Sequence, residues 1–342
     1  MFKNRTHNYQ KIEDIRKSKL IVYITGDRRG METQIHPEIL EHFVEHLDPL
    51  GKVPKISLFL YTRGGNTLAA WSLVNLIRQF CEEFEVIIPS KAHSSGTLIS
   101  LGANSIIMTK QATLGPIDPS LNSPLNPQNP AIPNNPKARL PVSVESIKGY
   151  LELAQEDLKI HNENELSQIL MKLSDKVHPL VLGDIYRSRT QIKMLAKKLL
   201  SKQLDSQEQI EKIISFLSSD SGSHDYAIYR NEASDELGLN IEKPTQELYD
   251  VIKEVYDDIK KELELDSPYD PANIAQSSGS FIYSCRKALI ESIEVGTHVF
   301  LSEGKLVRKD IQVPPPKPGM PPQNHTILND NRTFDGWRFE KK

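Results

Sequence analysis

Between Leu20 and Met108 the chain passes from strand to helix and back three times, and this order restricts the fold more than any other feature. Leu20 to Thr25 (LIVYIT) reads as a strand, and Pro37 to Leu47 as a helix with proline in its first turn and Leu40, Phe43, Val44 and Leu47 on one face. Ile56 to Tyr61 is a second strand, and after Gly64 and Gly65 the run Leu68 to Phe80 repeats apolar residues at helical spacing. Val86 to Ile88 is a third strand, stopped by Pro89, and Ser94 to Thr97 lead into a helix of small residues before Ser105 to Met108. Such alternation means parallel strands joined by right-handed crossovers, so the expected class is α/β.

Two of the corners in this series carry chemistry. At one, Gly64 and Gly65 let the backbone expose its N–H groups with no side chain in the way. At the other, a serine stands where a strand ends and a helix starts, which tends to push its hydroxyl outward. Acyl transfer needs a nucleophile and, close by, N–H donors aimed at the oxygen that becomes negative. The expected oxyanion hole is an N–H of the glycine pair, Gly65 by preference over Gly64, together with the N–H of Ser95. Taken singly, GG and SG turns mark ordinary loops in most proteins.

Taken together, the segments LYTRGGNTLAA, AHSSGTLISLGANSIIM and LGPIDP resemble the serine dehydrogenase proteinase family, relatives of signal peptide peptidase A and the Clp protease within the Clp/crotonase fold. The resemblance runs from about Leu20 to about Leu239 and is sharpest from Ile56 to Pro119. It implies a Clp/crotonase-like spiral of strand–turn–helix units and a serine peptidase with Ser94 as nucleophile in an S-x-G setting. The chain departs from the usual pattern at Arg63, where proline is commoner, and at Ser95, where a residue without a hydroxyl is commoner. Ser95 therefore leaves open which hydroxyl attacks.

A serine hydroxyl needs a base within hydrogen-bond reach. Asp118, in LGPIDP, lies about where the Clp protease carries its histidine. Lys148 follows Ser94 at a separation similar to that of the catalytic lysine in shorter signal peptide peptidases, and it can act only if burial lowers its pKa. His178 sits beside a proline turn, and His224 is followed by Asp225. Lys148 is the first choice and His178 the second. His93 is expected to point away from Ser94, because neighbours in an extended segment face opposite sides.

With 342 residues and a formal net charge of −3, the chain can bury a sizeable core and has no general pull toward nucleic acid. Two cysteines make no disulfide framework and fit a reducing, cytoplasmic setting. No run approaches a membrane span, and the N-terminal residues lack a signal-peptide core. There is no P-loop, paired-cysteine site or H-E-x-x-H motif, so no nucleotide or metal cofactor is expected.

Residues 1–19 read as a polar arm and 20–204 as the catalytic domain, in which 120–141, rich in Pro, Asn and Ser, is a long loop of the lid or flap kind. Residues 205–312 read as mainly helical, with Ser280 to Ile293 as a possible helix before a hairpin, and 313–342 as a proline-rich tail in which Trp337 docks somewhere. The leading function is a serine peptidase acting on peptide or protein substrates, as a homo-oligomer of the kind usual for this fold. The alternatives are a crotonase-like acyl-CoA enzyme, which needs two amides but no serine, and a non-catalytic oligomeric scaffold.

Overall fold

The computed structural model describes residues 1–117, 120, 121, 123–274, 279–313 and 323–340. The expected alternation is present. Strand β1 (Lys19–Thr25) leads to α2 (Ile39–Leu47), which follows an N-terminal helix α1 (Phe2–Arg16) in the numbering of helices. Then come β2 (Val53–Tyr61), α3 (Thr67–Ile77), β3 (Cys81–Ile88), a short β4 (Lys91–Ala92), α4 (Ser95–Leu101), β5 (Ser105–Met108) and β6 (Thr113–Leu114). A hairpin excursion runs from β7 (Ser120–Leu121) to β8 (Val142–Ser143), followed by α5 (Val144–Glu152), α6 (Glu163–Ser174), α7 (Pro179–Leu200) and α8 (Gln207–Ser215). The chain ends with β9 (Ile228–Tyr229), β10 (Ile241–Glu242), α9 (Gln246–Glu262), β11 (Ser280–Ser292), β12 (Gly296–Val313) and β13 (Gln323–Glu340).

One eight-stranded sheet in the order β10-β5-β3-β2-β1-β11-β12-β13 organises the molecule. Its first five strands are parallel and the last three antiparallel. Alternate residues of each central strand go to opposite faces, as the pleat requires. Ile21, Tyr23, Leu58, Leu60, Val86 and Ile88 pack against α2, α3, α4, α7 and α8. Leu20, Val22, Ile24, Phe59, Tyr61 and Ile87 meet α1 and the apolar stripe Leu248, Val251, Ile252, Val255 and Ile259 of α9. Buried on both faces, the strands read as nearly continuous apolar runs. A second small sheet, β4-β6-β9, braces the loops beyond the ends of β2 and β3.

Three expectations need correction. The N-terminal arm is a docked helix: Phe2, Arg5, Tyr9, Ile12 and Glu13 of α1 are buried. Its apolar stripe is interrupted by Arg5 and Glu13, which are satisfied by tertiary partners and so leave no amphipathic pattern to read. The stretch Ser280–Ser292, read as a possible helix in a mainly helical region, is strand. It pairs with β1 on one side and β12 on the other, and a register shift between Arg286 and Ala288 breaks its alternation. Much of the tail is strand too, since β13 pairs along β12, and Trp337 packs at the edge of the core; Pro314 to Pro322 lie outside the described residues.

The segment 120–141 is closed at its base by the β7–β8 ladder, and Gln128 bridges Arg139 within it. Asn126, almost fully buried, donates to the Leu140 carbonyl and accepts through its own carbonyl from Arg139. The long loop thus has its own internal bonding above a two-residue ladder.

Candidate active site

The two corners meet. Beyond β2, Thr62 donates its N–H to Lys91 O (3.1 Å) and accepts from His93 N–H (3.1 Å), so the strand ends run side by side into the glycine pair and the serine corner. Gly64 and Gly65 have φ of 109° and 148°. A Cβ on Gly64 would lie 2.7 Å from Ser94 Cβ, and one on Gly65 would lie 2.4 Å from the backbone N and O of Ile35. Only glycine fits either place. The pair is pinned on its other side by Ile35 N–H to Gly64 O (2.9 Å) and Asn66 N–H to Ile35 O (2.8 Å), and Asn66 Oδ1 then caps α3 by accepting from Ala69 N–H.

Ser94 precedes α4 with φ 52° and ψ −114°, a conformation that costs a non-glycine residue about 1–3 kcal/mol. The surrounding bonds hold it there. Ser95 donates its hydroxyl to Gly65 O at 2.7 Å, tying one corner to the other, and is buried. Gly96 lets the first turn of α4 press onto Thr62, whose methyl would be 2.4 Å from an added Cβ. Thr97 Oγ1 lies 2.9 Å from Ala92 O and 2.8 Å from Gly115 O and accepts from Gly115 N–H, fixing the loop after β6 behind the helix. Among the described residues Ser94 Oγ has no hydrogen-bond partner, and the N–H groups of Gly65 and Ser95 donate to nothing. Gly64 N–H is already given to Thr62 Oγ1 at 2.9 Å, and Thr62 Oγ1 also accepts from Thr25. The threonines at 62 and 97 were not singled out in the sequence; a buried hydroxyl in a strand end or a small-residue helix has no local signature.

The other expected residues fall in three places. His93 turns to the β6 side, with Nε2 2.9 Å from Thr113 Oγ1 and its ring against Gly115. Burial, reinforced by the positive charges of Lys91 and Arg63, pushes its pKa down to about 4, so the imidazole is neutral near pH 7; His224 and Asp225 also act on it through their charges. Lys148, on α5, pairs with Glu152 one turn on at 3.2 Å and lines a cavity of about 430 Å³ with Ile147, Leu151 and Leu170. His178 is exposed and caps α7, its Nδ1 accepting from Leu180 N–H. No contact among the described residues joins Lys148 or His178 to Ser94. Asp118 lies outside the described residues. Beside the corners, Asp27 receives Lys91 Nζ (2.8 Å) and the Tyr61 hydroxyl (2.8 Å), and burial raises the Tyr61 pKa so that it stays a donor.

Residues 40–132 match the model of a family described as ClpP-like SDH-type serine proteinase, which bears out the resemblance read from the sequence. An uncharacterized protein of Methanocaldococcus jannaschii is 30% identical over 223 residues, 64% of this chain and 65% of that protein. A second uncharacterized protein of the same organism is 41% identical over 66 residues, 19% of this chain and 23% of its own length. The chain therefore spans just under two thirds of the first of these relatives and about a quarter of the second. Among solved structures, a membrane-bound stomatin-specific protease in complex with a substrate peptide aligns over 65% of this chain and 75% of its own at 16% identity, with a TM-score of 0.35. ClpP1 from Listeria monocytogenes aligns over 70% and 98% at 19% identity, with a TM-score of 0.35. No helix among the described residues is long and apolar enough to cross a membrane.

Proposed function

We propose that this chain, which shares its central segment with a family of serine proteinases, is a serine peptidase with Ser94 as nucleophile. Ser94 Oγ gives its proton to a base and bonds to the substrate carbonyl carbon, while the Gly65 and Ser95 amides receive the oxyanion. The C–N bond then breaks, the proton passes to the leaving amine, and water releases the acyl group. One observation carries this reading: a strained serine stands against a glycine pair, its hydroxyl unengaged and the two nearby N–H groups without an acceptor among the described residues. A crotonase-like acyl-CoA enzyme needs the two amides alone, and nothing in that chemistry would maintain the strain at Ser94. Ser95 supports the geometry, because its hydroxyl is spent on Gly65 O.

The base is assigned to Asp118 ahead of Lys148. What supports this order is that Gly115 packs on His93 and is bound by Thr97, with Asp118 only a few residues further along the chain, whereas Lys148 is paired with Glu152. The protein is read as a cytoplasmic homo-oligomer whose substrates are peptides or proteins. Its two cysteines are free, as suits a reducing compartment.

A fluorophosphonate probe is expected to label the wild type at Ser94. Ser94→Ala should abolish labelling and lower peptide hydrolysis by about 10³-fold or more with the fold intact by circular dichroism. Asp118→Asn should lower kcat more than Lys148→Met. Labelling that persists at full strength in Ser94→Ala would sink the assignment, and the reverse ranking of the two variants would return the base to Lys148.

A further inference from the structure

Apart from the serine corner, α2 and β12 bring together a second group of chemically active side chains. His42, Glu45 and His46 stand at i, i+3 and i+4 on α2 and so share one face of the helix. His298, from β12, meets them: its Nε2 is 3.2 Å from a Glu45 carboxylate oxygen, and the other Glu45 oxygen is 3.7 Å from His42 Nδ1. One donor atom each from His42, Glu45 and His298 lie within 4.8 Å of one another. Around a Zn2+ ion with bonds of about 2.0–2.1 Å, tetrahedral ligand atoms sit roughly 3.3 Å apart; the Glu45 carboxylate has one oxygen near that distance from His298 and the other near it from His42.

Two further observations point to a ligand. First, His42 Nδ1 is buried with no hydrogen-bond partner among the described residues, too far from Glu45 to bond it. A desolvated nitrogen left unpaired costs about 1–3 kcal/mol, and a metal ion would use its lone pair. Second, the opposite edge of the His298 ring is held as metal-bound imidazoles are held. His298 Nδ1 is 3.0 Å from His46 Nε2, and His46 Nδ1 is 2.7 Å from Ser292 Oγ. With Nδ1–H donated by His298 to His46 and by His46 to Ser292, the Nε2 lone pair of His298 faces Glu45 and is free to coordinate. Trp337 and Phe339 of β13 wall the group, their rings 5.3 Å from His42 and 5.0 Å from His298.

We propose that His42, Glu45 and His298 form a binding site for one divalent transition-metal ion of the zinc class, with His46 and Ser292 positioning His298. Two imidazoles and one carboxylate select a borderline ion over Mg2+ or Ca2+. The fourth position opens beside the exposed Glu45. Such an ion would fasten α2, which precedes the peptidase corners, to the C-terminal strands.

The test is a calorimetric titration of tag-free, chelator-stripped full chain with ZnCl2. Wild type is expected to take up one equivalent, and Co2+ in its place should give the visible absorption of a tetrahedral site. Glu45→Gln and His42→Gln should each weaken Zn2+ binding by tenfold or more and remove the Co2+ bands. Ser292→Ala should weaken it by about 10-fold through its effect on His298. Absence of stoichiometric uptake by wild type would overturn the proposal, as would affinity unchanged in both Glu45→Gln and His42→Gln. Ser94 labelling by the fluorophosphonate probe is scored separately, so the two readings stand or fall apart.

Discussion

Ser94 keeps its unfavourable φ because every neighbour is fastened: Ser95 to Gly65, Thr97 to Gly115, and Gly96 to Thr62 by close contact. His93 belongs to the same fastening and carries a pH dependence. Its pKa is about 4 in the folded chain against an ordinary 6.5, so between these values the unfolded chain binds the extra proton and stability falls as pH falls. The loss is about 3 kcal/mol, complete near the lower value. Melting temperatures of wild type and His93→Gln measured from pH 7.5 down through that window should converge toward acid pH, the variant having the flatter profile; parallel profiles would refute it. The corners were legible in the sequence because their chemistry is local, each a glycine or serine between a strand and a helix. Nothing local marks a base, since that role is decided by which distant segment reaches Ser94, and His178 shows how a plausible histidine can be taken up by a helix cap.

Among the elements, α1 shows where sequence reading fails and why. Its buried face includes Arg5, whose guanidinium bonds Glu291 at 2.6 Å, Glu262 at 2.6 Å and Asp258 at 2.6 Å, while Tyr9 donates to the same Glu291. Arg5 and Glu291 are at most 1% exposed. A helix whose buried face mixes Phe2, Tyr9 and Ile12 with charged Arg5 and Glu13 shows only a broken apolar stripe, so hydropathy assigns it to solvent. Removing one partner strands a charge in the interior. Glu291→Gln and Arg5→Met should therefore each destabilise by about 3–5 kcal/mol in urea unfolding, and the double variant by less than the sum. Additive losses would mean the two groups do not act as a pair. Strand β2, by contrast, was read from Ile56 to its end at Tyr61, because a parallel strand covered on both faces has a nearly unbroken apolar sequence, whereas β3 was read only over Val86 to Ile88, since Glu82, Glu83 and Glu85 interrupt its first part.

At the scale of the whole molecule, α6 and α7 leave Leu170, Met171, Leu180, Tyr186 and Met194 exposed among the described residues. Apolar surface of this kind marks an interaction site, and a second copy of the chain is the occupant the proposed homo-oligomer supplies. Light scattering should give a mass that is a multiple of the chain's 38.8 kDa, and Met171→Glu with Tyr186→Glu should shift it toward the single-chain value. A wild-type mass equal to one chain would count against assembly. The strand–helix series made the parallel half of the sheet legible; the antiparallel half was not, because β11 joins β1 across most of the chain length and its bulge hides the period.

That pairing bears on how the polypeptide is made. Strand β1 is synthesised well before β11, so one of its flanks waits for that strand, and Arg5 waits for Glu291, 286 residues further along. Between the emergence of β1 and that of β11, a nascent chain holds an open hydrogen-bonding edge and an uncompensated cation, so chaperone contact during translation should centre on the segment holding Arg5 and β1 and end once β11 has emerged.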